Sequence, residues 1–453
     1  MTIINDPIHG QITLSEEETA ILDSLPMQRL RHIKQLTGTS FIFPSAQHAR
    51  FDHSLGVMHI AGLYAEQLFP GEPERVAALR MAGLLHDIGH GPFSHQFDDT
   101  IYQLQGLFPR ESHGHDLQRL RIIKEMDVPY YKEIEKIYKG ESVIEKALIQ
   151  GAIGADRIDF LLRDSYFTGT SHFGMVPVNR IVLNTRIIEP DNGTPQLALN
   201  WKLMDDILSS LIGRFMMFKN VYFHKAARAI DLLIQDLLSV AADDLNLVER
   251  TKNLSSFYYL TEPSLIGELL AMPVDSPAHI LTKRIFFEKK WLKMVYERVI
   301  PTETIRQISE GADFSVLKEH KESWQKRFNL ICTNIAKNDF INPVLETLPS
   351  EVREKIHLRP DTAYQMSFFD PSEFDFYDIQ VYDPKHRISR QKGVVLPFSL
   401  AVKNMAFAPF IQHVKEFSLV RVYCESSDRK LVMETWKKIS NNNQNDKKVD
   451  TSY

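Results

Sequence analysis

The 453-residue sequence predicts a mainly α-helical protein, in which a helical bundle with a small β-hairpin is followed by a smaller C-terminal α+β region. Three observations lead to this prediction. Apolar residues recur at helical spacing through most of the first two thirds of the chain. One stretch near residue 190 places a turn sequence between two apolar runs, as a β-hairpin does. Aromatic and β-branched residues, which suit strands, become prominent only in the C-terminal quarter.

The helical pattern begins at Glu16 and runs to Gln35, where apolar residues lie mostly three to five positions apart. An interruption near Pro26 predicts two successive helices in this segment. We expect further helices at 55–68, 76–85, 117–126, 144–162 and 203–240. A bundle of such helices places its functional site between helices that face one another.

The other segments predict the hairpin and the C-terminal part. Apolar runs at 181–183 and 197–199 flank the sequence Glu-Pro-Asp-Asn-Gly at 189–193, which is a strong turn signal. Strands are expected at 374–382 and 419–423. We therefore divide the chain into a main helical domain at 1–250, a helical extension at 251–345, a small α+β domain at 346–439 and a disordered tail at 440–453.

Charge and composition limit the kinds of function. The 53 basic and 58 acidic side chains give a net charge of −5. Because this charge does not attract nucleic acid, a small anion would have to be held by local positive charge or by a metal. The chain has two widely separated cysteines, a polar start and no apolar run long enough to span a membrane. These features predict a cytoplasmic protein that uses no disulfide framework and no membrane.

Histidine is concentrated in one part of the chain, because eight of the 17 histidines lie between residues 48 and 115. In this part the apolar residues 84–85 lead directly into His86 and Asp87. His53 upstream and Asp156 downstream complete a set of two imidazoles and two carboxylates from three predicted helices. Such a set could hold one metal ion and leave positions open for water and substrate. Mixed nitrogen and oxygen donors suit Mn, Fe, Co, Ni or Zn better than Ca.

A structural interpretation competes with this metal site. An isolated His-Asp pair is usually a capped or solvated pair without a ligand. Here the pair ends an apolar helix, where an ion pair with no compensating role is costly. It also lies within the histidine cluster. We therefore favour the metal site.

The ordered set His53, His86-Asp87 and Asp156 resembles the signature of the HD-domain metal-dependent phosphohydrolases. Sequence words at 5–10 (Asn-Asp-Pro-Ile-His-Gly), 28–36 and 90–95 (His-Gly-Pro-Phe-Ser-His) are similar to one branch, the dNTP triphosphohydrolases. The similarity runs from Asn5 to about Leu238. It implies an HD-domain enzyme that hydrolyses a dNTP to deoxynucleoside and inorganic triphosphate. Metal-activated water would attack the α-phosphorus, with one divalent transition metal as cofactor and Mg accompanying the nucleotide.

The resemblance also implies which residues handle the phosphates. The metal ligands would be His53, His86, Asp87 and Asp156. Arg50 would contact a phosphate, and Arg157 and Arg214 would hold the triphosphate tail, since guanidinium binds phosphate oxygens bidentately.

Proton transfer to the departing sugar oxygen requires a group that titrates near neutrality, as histidine does. His115, followed by Asp116, resembles the catalytic His-acid pair of the family. His113 competes for this role, because the family usually has His-Glu here. By the same resemblance His90 and His95 would line the α-phosphate pocket, and Asp98 would orient one imidazole.

The remaining implied residues concern the sugar and base. Gln35, Leu36 and Asp164 match positions that favour deoxyribose over ribose in the related enzymes. Asp156, Phe160 and Asp164 are four residues apart and share one helix face. Phe160 departs from the relatives, which have Tyr there. Tyr222 resembles a Tyr that packs near the sugar and base, although a Tyr on an apolar helix is often a core residue.

The expected partners follow from the same resemblance: a dNTP substrate, a nucleotide activator to which Asn5, Asp6 and His9 could contribute, and further copies of the chain in a dimer or tetramer. Nucleic acid is not expected as a partner. Two alternatives stay open. The same metal site could act on another nucleotide or a nucleic acid end, or the protein could be a regulator that senses nucleotide without hydrolysing it.

Overall fold

The computed structural model describes residues 2–103, 106, 114–189, 195–301, 321–366, 380–383, 394–398, 401 and 417–449. Helices dominate the chain up to about residue 290, as the sequence predicted. These helices are α1 (Glu16–Leu22), α2 (Leu25–Arg29), α3 (Arg50–Leu68), α4 (Pro73–Leu85), α5 (His95–Phe97), α6 (Gly114–Glu125), α7 (Tyr131–Lys139), α8 (Val143–Gln150), α9 (Ala155–Phe167), α10 (Val178–Leu183), α11 (Met204–Met217), α12 (Lys225–Ala241), α13 (Leu247–Lys252), α14 (Leu254–Phe257), α15 (Glu262–Ala271) and α16 (Pro277–Phe286).

Single turns connect several of these helices. Turns of 3₁₀ helix lie at Leu30–His32, Gly38–Phe41 and Trp201–Leu203, and π-helical turns lie at Asp98–Tyr102 and Phe218–Tyr222. The predicted helix at 203–240 is interrupted at the second π turn, so that α11 and α12 are separate helices. The predicted helix at 144–162 is also two helices, because residues 151–154 leave the helical conformation between α8 and α9.

Among the residues described after about 290, helices alternate with strands. The helices there are α17 (Lys321–Ala336), α18 (Asn342–Thr347), α19 (Ser350–Arg353) and α20 (Arg429–Val449), and a π turn lies at Lys337–Ile341. The strands within the described ranges are β1 (Thr2–Asp6), β2 (Gly10–Leu14), β3 (Thr185–Ile188), β4 (Gln196–Asn200), β5 (Lys293–Pro301), β6 (Arg359–Met366), β7 (Gln380–Asp383), β8 (Val394–Pro397) and β9 (Phe417–Cys424).

The strands form three small sheets. β1 and β2 are an antiparallel hairpin in which Asp6 faces Gly10. The second sheet has the order β3-β4-β7-β8, with β3 and β4 antiparallel and β4 parallel to β7. The third has the order β5-β9-β6, and both outer strands run antiparallel to β9. The mainly helical fold with a hairpin near residue 190 and an α+β C-terminal part is therefore confirmed.

Some local expectations differ from the structure. Residues 181–183 end the short helix α10, and the hairpin strand starts only at Thr185, because Pro177 opens a helical turn before it. The strand β5 lies in the segment expected to be helical; its Val and Ile residues pair with β9. The N-terminal hairpin β1–β2 was not expected. Of the predicted strand at 374–382, residues 374–379 lie outside the described part.

The end of the chain also differs from the expectation of disorder. Helix α20 continues to Val449, ten residues into the segment 440–453. Its first turns are anchored because Val432 is buried and Trp436 packs against a hydrophobic core that is formed within the C-terminal part. Extending an anchored helix is much easier than nucleating one, so polar residues can follow it in the helical conformation.

The main hydrophobic core places the first turn of α3, the end of α4 and the start of α9 side by side. Buried residues of α3, α4 and α9, such as Leu55, Leu84 and Ile158, belong to this core. The core also includes Val381 and Tyr423 of the C-terminal part. Since residues from both parts share one core, the domain limits stay a prediction. Within the described residues, no helix combines the length and apolar character that crossing a membrane requires.

Candidate functional site

Three donor atoms from three helical elements converge in the core of the helical part. His53 Nε2 lies 3.1 Å from Asp156 Oδ1 and 3.2 Å from His86 Nε2. His86 Nε2 is 3.8 Å from the same Asp156 oxygen. Donors that each bind one ion at about 2.1 Å are separated by roughly 3.0–3.4 Å. Both spacings from His53 lie in this range and the third is longer, so the three atoms are within reach of one ion. His53 is on the first turn of α3, His86 directly follows α4, and Asp156 is on the first turn of α9.

The outer nitrogens of both imidazoles are already engaged. His53 Nδ1 lies 2.7 Å from Asp159 Oδ2, and His86 Nδ1 lies 2.8 Å from the carbonyl oxygen of Gly83. Each Nδ1–H therefore donates outward, which leaves both Nε2 lone pairs facing each other beside a carboxylate. Such an arrangement favours a positive charge between the donors, either a proton or a metal ion. These residues therefore fit a divalent metal ion, and the donor set is the one that suits a transition metal.

The pKa of the His53 imidazole reflects the same arrangement of donors. Burial lowers its pKa, but the hydrogen bonds to Asp156 and Asp159 more than offset burial and raise the pKa to about 10. The site thus attracts positive charge.

Asp87 connects the metal donors to Arg50. Its Oδ1 is 3.3 Å from His86 Nε2, and its Oδ2 accepts a hydrogen bond from Arg50 Nη1. Arg50 Nε donates to Ser94 Oγ at 2.8 Å. Arg50 is buried and points toward the metal donors, as a phosphate-binding side chain beside them would.

A second cluster surrounds the Asp98 carboxylate. Asp98 Oδ2 lies 3.0 Å from His115 Nδ1, 3.1 Å from His90 Nδ1 and 3.4 Å from His95 Nδ1. The rings of His90 and His115 are stacked with their centroids 4.0 Å apart. Asp98 was expected to orient one imidazole; it contacts all three.

These contacts shift the pKa values of the two stacked imidazoles, His90 and His115, in opposite directions. Burial lowers the pKa of His115, but the Asp98 carboxylate outweighs burial and the pKa lies above its usual value. Burial, followed by Arg50, lowers the pKa of His90 to about 4. Burial raises the pKa of Asp98, but His90 and His115 hold it well below the usual range. Of this stacked pair, His115 is therefore the imidazole that keeps its second proton to higher pH.

Asp116 does not take the place expected for it. Its Oδ1 is 3.7 Å from His115 Nε2, beyond hydrogen-bonding distance, but 2.8 Å from Arg119 Nη2. Arg119 in turn donates to the carbonyl oxygen of His86 at 2.8 Å. The carboxylate that binds His115 is thus Asp98, because the fold brings α5 and the following π turn against α6. The competing His113 lies outside the described residues.

A cavity of about 310 Å³ opens beside these clusters. Arg50 and Ser94 form the end near the metal donors. The residues from the sequence prediction that line it are Gln35, Leu36, Arg50, His95, Phe160, Asp164 and Tyr222. The side chain of His95 is largely exposed at its mouth. The helical spacing of Asp156, Phe160 and Asp164 therefore places one of them at the metal donors and two in the cavity wall.

Both oxygens of the Asp164 carboxylate are held. His48 Nε2 lies 2.7 Å from Oδ1, and Tyr222 Oη donates to Oδ2 at 2.7 Å. His48 also stacks on Phe167 with ring centroids 4.7 Å apart. Tyr222 ends the π turn between α11 and α12, and so is not inside a continuous apolar helix. Gln35 Oε1 is buried without a hydrogen-bond partner among the described residues.

Arg157 and Arg214 come together, but not in this cavity. They line a smaller cavity of about 40 Å³ between α9 and α11. The Arg214 guanidinium lies 5.3 Å from the Phe218 ring centroid. Their expected role at the triphosphate tail stays a prediction.

The sequence reasoning missed several residues that hold the site. Asp159 and Arg163 lie three and seven positions after Asp156 on α9, a helical spacing that could have shown a common face. Arg163 donates two hydrogen bonds to Asp159 and one to Asp6. Glu262 gave no local signal, because its Oε1 accepts hydrogen bonds from the backbone of Lys34, 228 positions away, and of Phe93.

Comparisons with known proteins agree with this site. Residues 50–161, which contain the metal donors, match the family described as HD domain. The chain is 37% identical over 248 residues to an uncharacterized protein of Methanocaldococcus jannaschii, covering 54% of this chain and 51% of that protein. It is 30% identical over 339 residues to a deoxynucleoside triphosphate triphosphohydrolase SAMHD1 homolog of Dictyostelium discoideum, covering 70% of this chain and 64% of that protein.

Two further matches extend over almost the whole chain. The human deoxynucleoside triphosphate triphosphohydrolase SAMHD1 is 26% identical over 474 residues, with 95% of this chain and 71% of that protein covered. A crystal structure of a hypothetical protein from Aquifex aeolicus has a TM-score of 0.68 at 24% identity and covers 96% of this chain and 99% of that one. The latter shows a shared fold. The chain spans about half to two thirds of the length of the first three curated relatives.

Proposed function

We propose that this protein, which carries an HD domain and resembles the dNTP triphosphohydrolases, hydrolyses a dNTP to a deoxynucleoside and inorganic triphosphate. The observation that carries the proposal is the convergence of His53, His86 and Asp156 beside a cavity of about 310 Å³, with Arg50 in the cavity wall. The curated relatives named as dNTP triphosphohydrolases support the substrate class.

The metal donors and Arg50 define where the reacting phosphate would lie. A divalent ion held by His53, His86 and Asp156, with Asp87 next to it, would lower the pKa of a bound water and polarise the α-phosphate. Arg50 approaches from the cavity side and would neutralise charge on the phosphoryl oxygens. Its bonds to Asp87 and Ser94 hold the guanidinium in place before substrate arrives.

His115 is the proton donor of the proposed reaction. Because Asp98 raises its pKa, the imidazolium form is populated near neutral pH and can protonate the departing 5′ oxygen. The Nδ1 atom is held by Asp98, so that Nε2 carries the proton to be transferred. The His90 ring stacks on the His115 ring, and His95 lines the neighbouring cavity.

The cavity provides groups for the sugar. Gln35 Oε1 has no hydrogen-bond partner among the described residues and can accept a hydrogen bond from a 3′-hydroxyl. Asp164 is fixed by His48 and Tyr222 and lines the same cavity. Leu36 is bulky and apolar, so a ribose 2′-hydroxyl next to it would lose its hydrogen bonds to water.

The product pattern tests the proposal. Each dNTP is incubated with the protein and Mn²⁺ or Mg²⁺, and the products are separated by chromatography. We expect deoxynucleoside and intact triphosphate; release of monophosphate and pyrophosphate would contradict the proposed attack on the α-phosphorus with loss of the sugar oxygen.

His115→Ala separates an enzyme from a nucleotide sensor. Loss of the proton donor should lower turnover by about 10²- to 10⁴-fold while dNTP binding persists. The matched control is His172→Ala, because His172 is exposed and its ring packs on Phe173, away from the proposed site residues. A wild-type protein that binds dNTP without turnover would favour the sensor. A homo-oligomer, a nucleotide activator and a cytoplasmic location stay predictions.

A further inference from the structure

The three-stranded sheet of the C-terminal part holds the beginning of α12 through two side chains of β9. Arg421 Nη1 donates to the carbonyl oxygen of Phe223 at 2.6 Å, and Tyr423 Oη donates to the carbonyl oxygen of Lys225 at 3.0 Å. Both side chains are buried. Arg421 is itself fixed on the sheet, since its Nε donates to Glu297 of β5 at 2.7 Å.

The neighbouring strand β6 holds the next turn of α12. Asp361 accepts two hydrogen bonds from Arg228, at 2.8 Å from Nη2 and 3.3 Å from Nε. Asp361 faces Arg421 in the register of β6 with β9. The hydrogen bonds that these two residues make to Arg228 and Phe223 therefore lie side by side. One turn further along α12, Asp231 accepts a hydrogen bond from Gly38 N at 3.1 Å. This hydrogen bond connects α12 with the opposite side of the cavity.

The held segment, 222–231, is one wall of the 310 Å³ cavity. Tyr222, Phe223, Arg228 and Asp231 all line the cavity, and Tyr222 binds Asp164 across it. The sheet residues stand behind this wall and do not line the cavity themselves. Any effect they have on a ligand therefore passes through the wall segment.

The wall is also a place where the helix needs support. Phe218–Tyr222 is a π turn and His224 begins a new helix, so regular helical hydrogen bonding is interrupted just before the held residues. Interruptions of this kind are points at which a helix pair can hinge. Hydrogen bonds from a buried sheet to the carbonyl groups beyond the interruption restrict that motion.

We infer that Asp361, Arg421 and Tyr423 are positioning residues that hold the wall segment 222–231, so that the C-terminal sheet sets nucleotide affinity while the metal donors come from the N-terminal helices. The identity of the ligand rests on the proposed function. The positioning itself rests on the contacts above. The inference assigns a role to a region of the chain in which no sequence motif indicated one.

The test compares three substitutions with a control from the same sheet. Tyr423→Phe removes one hydroxyl at constant shape, Asp361→Asn removes the charge that Arg228 binds, and Arg421→Met removes the donor to Phe223. The control is Arg298→Gln, because Arg298 lies on β5 and pairs with Asp339 of the C-terminal part. For each protein we would measure dNTP KM and kcat, bound metal, and hydrogen–deuterium exchange of the backbone amides of 218–231.

We expect KM to rise about tenfold in Asp361→Asn and less in Tyr423→Phe, with kcat and metal content close to wild type. Exchange in 218–231 should be faster in all three variants and unchanged in Arg298→Gln. Unchanged KM and exchange in Tyr423→Phe and Asp361→Asn would overturn the inference, as would a loss of kcat at constant KM.

The proposed dNTP hydrolysis and the positioning role of the sheet residues can be contradicted independently of each other. If the wild-type protein neither binds nor hydrolyses dNTP, the proposed function is wrong, and exchange alone then decides the inference. Faster exchange confined to 218–231 would support the positioning role. Exchange equal to wild type, or equally faster across α3 and α9, would show that the sheet only stabilises the fold.

Discussion

Asp159 Oδ2 lies 2.7 Å from His53 Nδ1, which makes this buried carboxylate the direct support of a metal-donor imidazole. Its other oxygen lies 2.6 Å from His9 Nε2, in the turn between β1 and β2. Arg163 donates to both oxygens and also to Asp6 at the end of β1. The N-terminal hairpin, α3 and α9 are therefore joined at the carboxylate that fixes the His53 ring.

We expect Asp159→Asn to weaken metal binding by about 10- to 100-fold, because a carboxylate that accepts from a ligand imidazole orients the ring and increases its basicity. The measurement is metal content after dialysis against a graded series of chelator concentrations. A parallel melting curve of the metal-free protein reports the loss of the ion pair with Arg163.

The control for this substitution is Asp52→Asn. Asp52 precedes His53 in the chain but caps α3 by accepting from Ala49 N at 2.9 Å. Metal retention should match wild type in this variant. If Asp159→Asn also retained metal as wild type does, Asp159 would only stabilise the fold.

Asp98→Asn should move the alkaline limb of the kcat–pH profile to lower pH by about one unit. The Asp98 carboxylate is the main group that raises the pKa of His115 against the effect of burial. The proposed proton donor must be protonated, so activity falls as pH rises through its pKa. Removing an opposite charge in contact lowers the pKa of an imidazole by about 1 unit or more.

Asp116→Asn is the matched comparison, since Asp116 is farther from the His115 ring and pairs with Arg119. The alkaline limb of the kcat–pH profile should move less in Asp116→Asn than in Asp98→Asn. A larger shift in Asp116→Asn than in Asp98→Asn would restore Asp116 as the partner that the sequence suggested.

Glu262→Gln should change how stability depends on pH. Burial raises the pKa of Glu262 to about 7, although the backbone N–H groups of Lys34 and Phe93 and the charge of Arg50 oppose burial. Unfolded glutamate titrates near 4.3, so between about pH 4.3 and pH 7 the native state holds one proton more than the unfolded state. Over this window the free energy of unfolding falls by about 1.4 kcal/mol per pH unit because of this group.

Glu262→Gln removes this fall in the free energy of unfolding with rising pH, because Gln does not ionise. Melting temperatures of wild type and Glu262→Gln, measured from pH 5 to pH 8, should therefore diverge in favour of the variant as pH rises. A constant difference across this range would show that Glu262 titrates normally in the folded protein.

Gly89→Ala should disturb the proton-donor cluster. A Cβ at Gly89 would lie 2.0 Å from the carbonyl oxygen of His115 and 2.7 Å from Arg119 N, so the first turn of α6 would have to move. We expect a loss of about 1–3 kcal/mol in stability and of about 100-fold in turnover, since displacement by about 1 Å is sufficient for the latter. Circular dichroism melting and the dNTP assay measure the two effects.

Gly267→Ala provides the comparison, because a Cβ at Gly267 in α15 meets no atom within 4 Å. Alanine also favours the helix by about 1 kcal/mol over glycine. Stability should be unchanged or higher and turnover unchanged. Equal behaviour of the two variants would contradict the close packing of Gly89 against α6.

The sequence alone was sufficient for the helical plan and for proposing the metal donors, of which the structure groups His53, His86 and Asp156 but not Asp87. Apolar periodicity is a local property, and it located the helix that carries Asp156, the helix that ends beside His86, and a helix that was expected to begin two residues after His53 but starts at Arg50. The donor types follow from side-chain chemistry. The resemblance then ordered them as one site, and the structure brings His53, His86 and Asp156 within reach of a single ion.

Only the tertiary structure decided which groups support that chemistry. The sequence paired His115 with its neighbour Asp116, whereas the fold brings Asp98 to it from 17 positions away. Glu262 reaches Lys34 across 228 positions, and Asp361 reaches Arg228 across 133. Such contacts depend on how helices and strands pack, which local spacing does not encode. Local pattern therefore determined the elements and the donors, and packing determined the partners that orient them.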